Sequence, residues 1–199
     1  MTHFLTALKR PNGALAAAAF AVLAIAAACG EFTSVPAQLS VQSDSGMVYA
    51  INGAPPGAPT ALHIYTGSRL AADATFFFDV AFDIDAAGNV LVMPQRVVAS
   101  GLTSSHTVGL QAVGTDYSAL EKAPKDGYRA DTTLVTRIGQ TVAIQTFDQN
   151  VCAVSLTGQQ LYAKLVVREI NRANRTISLQ YTVDPNCGFL SFAPGIPKE

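Results

Sequence analysis

The chain has 199 residues, with 13 Lys and Arg against 14 Asp and Glu and a formal charge of −1. That length sets one domain as the starting expectation, and no run of Lys or Arg is present to track a phosphate backbone, so nucleic-acid binding is disfavoured. The first residues read as an address and not as fold. Lys9 and Arg10 precede an uninterrupted apolar run from Ala14 to Ala28, which is 15 residues long (28 − 14 + 1). A run of that length fits the apolar core of a signal peptide, whereas a membrane-crossing helix needs about 20 residues. Residues 1–28 are therefore expected to be a helical signal peptide, and no later apolar run looks membrane-spanning. Removing them takes away Lys9 and Arg10, moves the charge from −1 to −3 (−1 − 2), and leaves 171 residues (199 − 28), enough to bury a full core.

The run closes on Ala26-Ala27-Ala28-Cys29-Gly30. This stretch resembles the lipobox of bacterial lipoproteins, in which small residues precede a cysteine that is lipidated and becomes the mature N-terminus. The third residue before the cysteine is Ala26, where the family usually carries Leu. Cleavage by the general signal peptidase at Ala26-x-Ala28 is the alternative, and it would release a soluble chain. The resemblance implies lipidation of Cys29, attachment to a membrane through that lipid, and residues 29–38 as a tether. Gly30 stands where an Asp would retain a lipoprotein in the inner membrane of many Gram-negative bacteria, so the outer membrane or cell surface is the implied destination. No polybasic segment flanks the anchor, so attachment rests on lipid alone.

From Leu39 onward the pattern has period two. Leu39–Val41 and Met47–Ile51 read as short strands, broken by Asn52-Gly53 and the Pro-rich stretch 54–59. Ala61–Tyr65 follows. The clearest signal is Thr75 to Val98. Phe76, Phe78, Val80, Phe82 and Ile84 alternate with Phe77, Asp79, Ala81, Asp83 and Asp85, the pattern of a half-buried antiparallel strand. Residues 86–89 supply a turn, and Val90–Met93 starts the return strand. His106–Val113 is another strand. Ser118 with Glu121 has capping-box spacing for a single helical turn that Pro124 stops. Thr132–Ile138, Thr141–Phe147 and Cys152–Leu156 read as strands. Leu161–Ile170 and Thr176–Val183 form a hairpin across residues 171–175. About ten short strands with turn residues between them predict an all-β, antiparallel β-sandwich over residues 39–199, with a closed β-barrel as the alternative.

Cys152 and Cys187 are an even pair once Cys29 is lipidated, and an exported chain sits where such pairs oxidise. A disulfide between them is expected; two buried thiols or a metal pair are the alternatives, but no His lies within thirty residues of either cysteine. Asp83, Asp85 and Gly88 copy part of an EF-hand loop, but Ala87 and Pro94 stand where oxygen ligands are wanted, so a hairpin turn is expected and no metal. His63 and His106 are the His residues outside the leader, and both are expected to be partly exposed at the surface. Ser104 and Ser105 beside His106 lack the surroundings of a nucleophile elbow. Asp79, Asp83 and Asp85 share a face and read as solvated. Phe77 lies on that same face and is the candidate binding surface for a protein or small-molecule ligand. Asn174-Arg175-Thr176 matches a glycosylation sequon, which carries little weight in a bacterial chain. No catalytic residue and no cofactor is assigned, which favours a binding or structural role, although a hydrolase using separated carboxylates stays open.

The run Leu161–Val167 followed by a Tyr-containing return strand looks similar to β-rich haem-binding lipoproteins of the HmuY kind. The likeness covers about thirty residues, carries no ligand motif, and implies haem as an alternative ligand.

Overall fold

The computed structural model describes residues 35–198 except 74–76 and 101–105. The leader, Cys29, Phe76, Ser104 and Ser105 lie outside the described residues. Val35–Glu199 forms one compact unit.

Two antiparallel sheets face each other. The first contains β1 (Gln42–Tyr49), β6 (Thr107–Val113), β7 (Arg129–Ala130), β9 (Thr141–Phe147), β10 (Gln160–Asn171) and β11 (Thr176–Asp184), in the order β1-β11-β10-β9-β6-β7. The second contains β2 (Ala61–His63), β3 (Ser68–Leu70), β4 (Val80–Ile84), β5 (Val90–Pro94) and β8 (Leu134–Thr136), in the order β3-β2-β4-β5-β8. Neither sheet closes on itself, so the molecule is a sandwich and not a barrel. No described helix is long and apolar enough to cross a membrane.

Alternation decides which side chains meet between the sheets. Leu161, Ala163, Leu165 and Val167 of β10 face inward beside Ile177, Leu179, Tyr181 and Val183 of β11, and all are at most 1% exposed. Val142 and Ile144 of β9, Val108 and Leu110 of β6, and Val80, Phe82, Val90 and Val92 of the second sheet belong to the same core, with Val48, Leu62 and Ile64 among others. A bulge between Val167 and Glu169 shifts the β10–β11 register by one. The shift brings Ile170 opposite Ile177, where it packs on the core.

The outer faces are also covered. On the first sheet Tyr162 packs with Ala123 and Phe192, and Lys164 lies beneath the 117–120 segment, donating from Nζ to the carbonyls of Tyr117 (2.7 Å) and Leu120 (2.8 Å). On the second sheet Phe78 packs with Ala61 and Ala81. All five residues of β4 are consequently buried, although the sequence predicts one solvated face.

A bend at Asp79 explains the difference. Phe78 packs in the outer cluster, whereas Val80 and Phe82 belong to the inner core, so the alternation slips by one residue at that point. Asp79 turns inward as a result. Asp83 stays on the outer side but is covered there, and it is 6% exposed. Arg175 donates to it (2.6 Å), and Asn52 Nδ2 donates to its second oxygen. The predicted solvation of these two carboxylates is thus overturned, while Asp85 holds the 86–89 turn by accepting from Asn89.

Two further differences concern helices. The chain forms single turns at α1 (Gln95–Val98) and α2 (Gln149–Cys152). The predicted turn at Ser118 is a hydrogen-bonded turn governed by Asp116, whose carbonyl accepts from Ala119 and Leu120. The predicted strand Cys152–Leu156 is absent, because Asp148 caps α2 through Asn150 N–H (2.8 Å) and commits Cys152 to a helix.

Cys152 and Cys187 form a disulfide with their Cα atoms 5.7 Å apart. It ties α2 to the segment that follows β11, across a sequence separation of 35. Closing a loop of that length in the unfolded chain contributes roughly 3 to 4 kcal/mol on the chain-entropy account. A Cys152→Ala, Cys187→Ala variant is expected to lose about that much unfolding free energy in urea titration. An unchanged midpoint would mean that the bridge contributes nothing to stability.

Candidate functional site

Four strand ends meet at one end of the sandwich. They are the C-terminal ends of β2 and β9 and the N-terminal ends of β4 and β6. They bring together His63, Asp79, His106, Thr146 and Asp148, residues up to 85 positions apart (148 − 63).

Asp79 is the centre of the cluster and is 2% exposed. Its Oδ2 accepts from the backbone N–H of Ile64 (2.6 Å), and its Oδ1 accepts from Thr146 Oγ1 (2.6 Å) and lies 3.0 Å from His106 Nε2. The carboxylate therefore joins a second-sheet loop to β9 and to the residue before β6. Burial by itself raises the carboxyl pKa. The hydrogen bond and charge of His106, with the donors from Thr146 and Ile64, outweigh it and hold Asp79 below its ordinary value.

His106 carries the opposite shift. Burial disfavours its charge, but Asp79 on one side and Asp148 on the other, with Nδ1 3.6 Å from Asp148 Oδ2, hold it above its ordinary value. His63 is pushed down, chiefly by burial and also by the neighbouring charge of His106, against the pull of Asp79 and Asp148. His63 Nδ1 is 2.8 Å from Thr66 Oγ1, and its ring lies against Phe77 with centroids 4.2 Å apart. The partial exposure predicted for His63 is overturned, whereas His106 is partly exposed. His63 is 4% exposed and the His106 side chain 12%.

Two histidines with pKa values driven apart are a common source of acid–base chemistry. Here the ring nitrogens of the partner with the raised pKa are already engaged. Both nitrogens of His106 face carboxylates, and Thr146, whose hydroxyl lies 3.4 Å from His106 Nε2, is buried and donates to Asp79. Asp79 and Asp148 lie on opposite sides of one imidazole ring and so do not converge on a substrate. The arrangement is an ionic staple between the two sheets. It does not present either histidine as an open axial ligand for haem.

Phe77 is 60% exposed while its ring rests on His63. Tyr65, 37% exposed, is a second exposed aromatic, close to His63 in the chain. Elsewhere, depressions of about 300 and 460 Å³ carry one carboxylate each, Glu169 beside Tyr49 and Asn174, and Asp44 beside Arg69 and Tyr181. No group of three or more His, Cys, Asp or Glu among the described residues is placed to hold a metal ion.

A second buried carboxylate, also unassigned from sequence, lies at the same end. Asp184 is 0% exposed. Its Oδ1 accepts from Asn186 N–H (2.9 Å) and Nδ2 (2.7 Å), while burial outweighs both bonds and raises its pKa to about 6. Asn186 Oδ1 in turn accepts from the N–H groups of Gln38 (3.0 Å) and Leu39 (2.9 Å), so this pair clamps the chain where it enters the domain.

Spacing could not reveal the His–Asp cluster. The usable signal was an Asp set inside the Phe-rich run 76–82, where a buried carboxylate is costly unless paired. No family model, curated protein or solved structure matches the chain.

The linkage has a definite sign. The raised His106 contributes stability that is complete below pH 6.5 and is lost as pH rises through its folded value. The lowered Asp79 contributes stability that is present above pH 3.8 and is lost as pH falls through its folded value. Removing one partner of such a buried pair costs about 3 kcal/mol or more. His106→Gln should therefore lower the unfolding free energy by about that amount at pH 6 and flatten its decline above pH 6.5. Urea titration across pH checks both, and a variant with the parent's pH profile would remove His106 from this role.

Proposed function

We propose that the protein is a lipid-anchored bacterial envelope protein whose β-sandwich acts as a binding or structural module. The observation that carries this reading is the Cys152–Cys187 bridge. It accounts for two of the three cysteines and leaves Cys29 as the odd one, in the stretch that resembles a lipobox. A structural disulfide also favours an oxidising compartment. The acyl chains on Cys29 provide the attachment, each buried methylene contributing about 0.8 kcal/mol. Gly30 directs the protein to the outer membrane or cell surface.

The module reading is supported by how its ionisable groups are used. Among the described residues, the cluster of His106 with Asp79 and Asp148 is engaged internally, and the depressions beside Glu169 and Asp44 hold a single acid each. Phe77 is the contact residue we assign to a protein or small-molecule ligand, because a large exposed ring on a buried support can bury area at little cost in ordering.

Intact mass spectrometry of the mature chain tests the anchor. A diacyl or triacyl mass on a chain beginning at Cys29, two protons lighter than the reduced form, is the expected result. A chain beginning at Cys29 or elsewhere without acyl mass would overturn the anchoring.

A further inference from the structure

The end of the sandwich that receives the tether also carries the most exposed large aliphatic side chains of the described residues. Val154 is 92% and Leu156 is 89% exposed. They sit on the loop that leaves α2 and enters β10.

This loop is held on several sides. The disulfide fixes its start at Cys152. Thr157 Oγ1 donates to the carbonyl of Cys187 (2.5 Å), and the N–H of Gly188 donates to Gln160 O (2.8 Å). Gly188 approaches so closely that a Cβ there would lie 2.5 Å from the Thr157 carbonyl, and its φ of +82° suits glycine. Two aliphatic side chains are thus presented to solvent by a braced support. Isolated exposed residues are ordinary, but a braced pair at a loop tip is a candidate contact.

Three segments converge at this end: the entry strand, the braced loop and the C-terminal segment. Gln42 pairs with Val183, Asp184 pairs with Tyr162, and Val41 bridges Gly195. Residues 35–43, 149–163 and 186–197 contain no Asp, Glu, Lys or Arg. Just outside them, Asp148 is engaged by His106 and Asp184 Oδ1 by Asn186, while Asp44 pairs with Arg69 and Lys122 and Lys198 flank the C-terminal segment. Val35 and Leu39, 41% and 44% exposed, add apolar surface beside the same clamp. A charged partner finds nothing to pair with on these segments, whereas an uncharged apolar layer does.

Chain length identifies that layer. Gln38, hydrogen-bonded to Asn186, is nine residues after Cys29 (38 − 29). Nine residues span at most roughly 32 Å when fully extended. Once Cys29 is lipidated, this end of the domain is confined to the neighbourhood of the bilayer surface. We propose that the loop bearing Val154 and Leu156 is a second membrane contact, which rests this end of the sandwich on the bilayer that holds the anchor. The inference rests on the lipid anchoring proposed above.

The chain contains no tryptophan, so one introduced indole is a clean reporter. Leu156→Trp places it at the tip. Ala173→Trp places it in the exposed turn between β10 and β11, at the opposite end. Val154→Trp is the second tip variant should Leu156→Trp fail to fold by circular dichroism. The full lipidated chains are reconstituted in phosphatidylcholine vesicles, with and without bromine on the acyl chains, and floated. The expected result is a blue shift and strong bromine quenching for the tip variant and neither for Ala173→Trp. Flotation with an unquenched tip leaves the anchor intact and overturns the second contact. A blue-shifted tip that bromine does not quench means a second copy or a protein segment covers it, and also overturns the proposal. Failure to float removes the anchor and the proposal with it.

Discussion

A single buried carboxylate holds the two layers together at one end. The aliphatic core between the sheets is non-directional: it favours burial of Phe82, Leu165 or Ile177 without specifying how strand ends align. Asp79 supplies that specification. A carboxylate at 2% exposure is stable only when its oxygens are satisfied, and the donors that satisfy it come from the loop after β2, from β9 and from the residue before β6. Moving any of these strand ends strands a charge in the interior. His106 extends the constraint to Asp148, which caps α2, and α2 carries Cys152 into the disulfide. The ionic and covalent ties are consecutive links of one chain of contacts.

Much of the fold was legible because period-two alternation picks out inward-facing residues, as it does for Ile177, Leu179, Tyr181 and Val183 of β11. Thr141–Phe147 was read with its observed bounds, and the β10–β11 hairpin to within one residue at each end of its turn and strands. Where the reading failed, a local event outweighed the pattern. At Asp79 a bend exchanges the faces, and ten residues of clean alternation point the wrong way for Phe78 and Asp79. At Cys152–Leu156 a short apolar run fits strand and helix alike, and the Asp148 cap decides. Ser68–Leu70 and Arg129–Ala130 are strands of three and two residues, too short and too polar to leave a period.

The candidate site was less legible for a different reason. His63, Asp79, His106 and Asp148 lie on four separate segments, and only the closure of the sandwich makes them neighbours. No spacing rule reports such a cluster. The disulfide, by contrast, was readable by counting, since parity of cysteines in an exported chain is a chemical constraint independent of topology. Asp184 was read as part of a turn. Its burial follows from the C-terminal segment 186–197 folding back over the first sheet, which nothing local announces.

The two ends of the sandwich use charge in opposite ways. At the far end, guanidinium groups do the joining: Arg172 donates to Ala87 O (2.9 Å) and Arg175 to Asp83. At the tether end Asp79, His106 and Asp148 are engaged with one another, and segments 35–43, 149–163 and 186–197 carry no Asp, Glu, Lys or Arg. Leaving Val154 and Leu156 in water forgoes hydrophobic stabilisation that the fold could have gained by tucking either one inside. The loop is instead braced in place by the disulfide and by Gly188. That bracing acts twice. It lowers the entropy of the unfolded chain, and it lowers the ordering cost whenever the tip meets an apolar surface, because the loop is already fixed before contact.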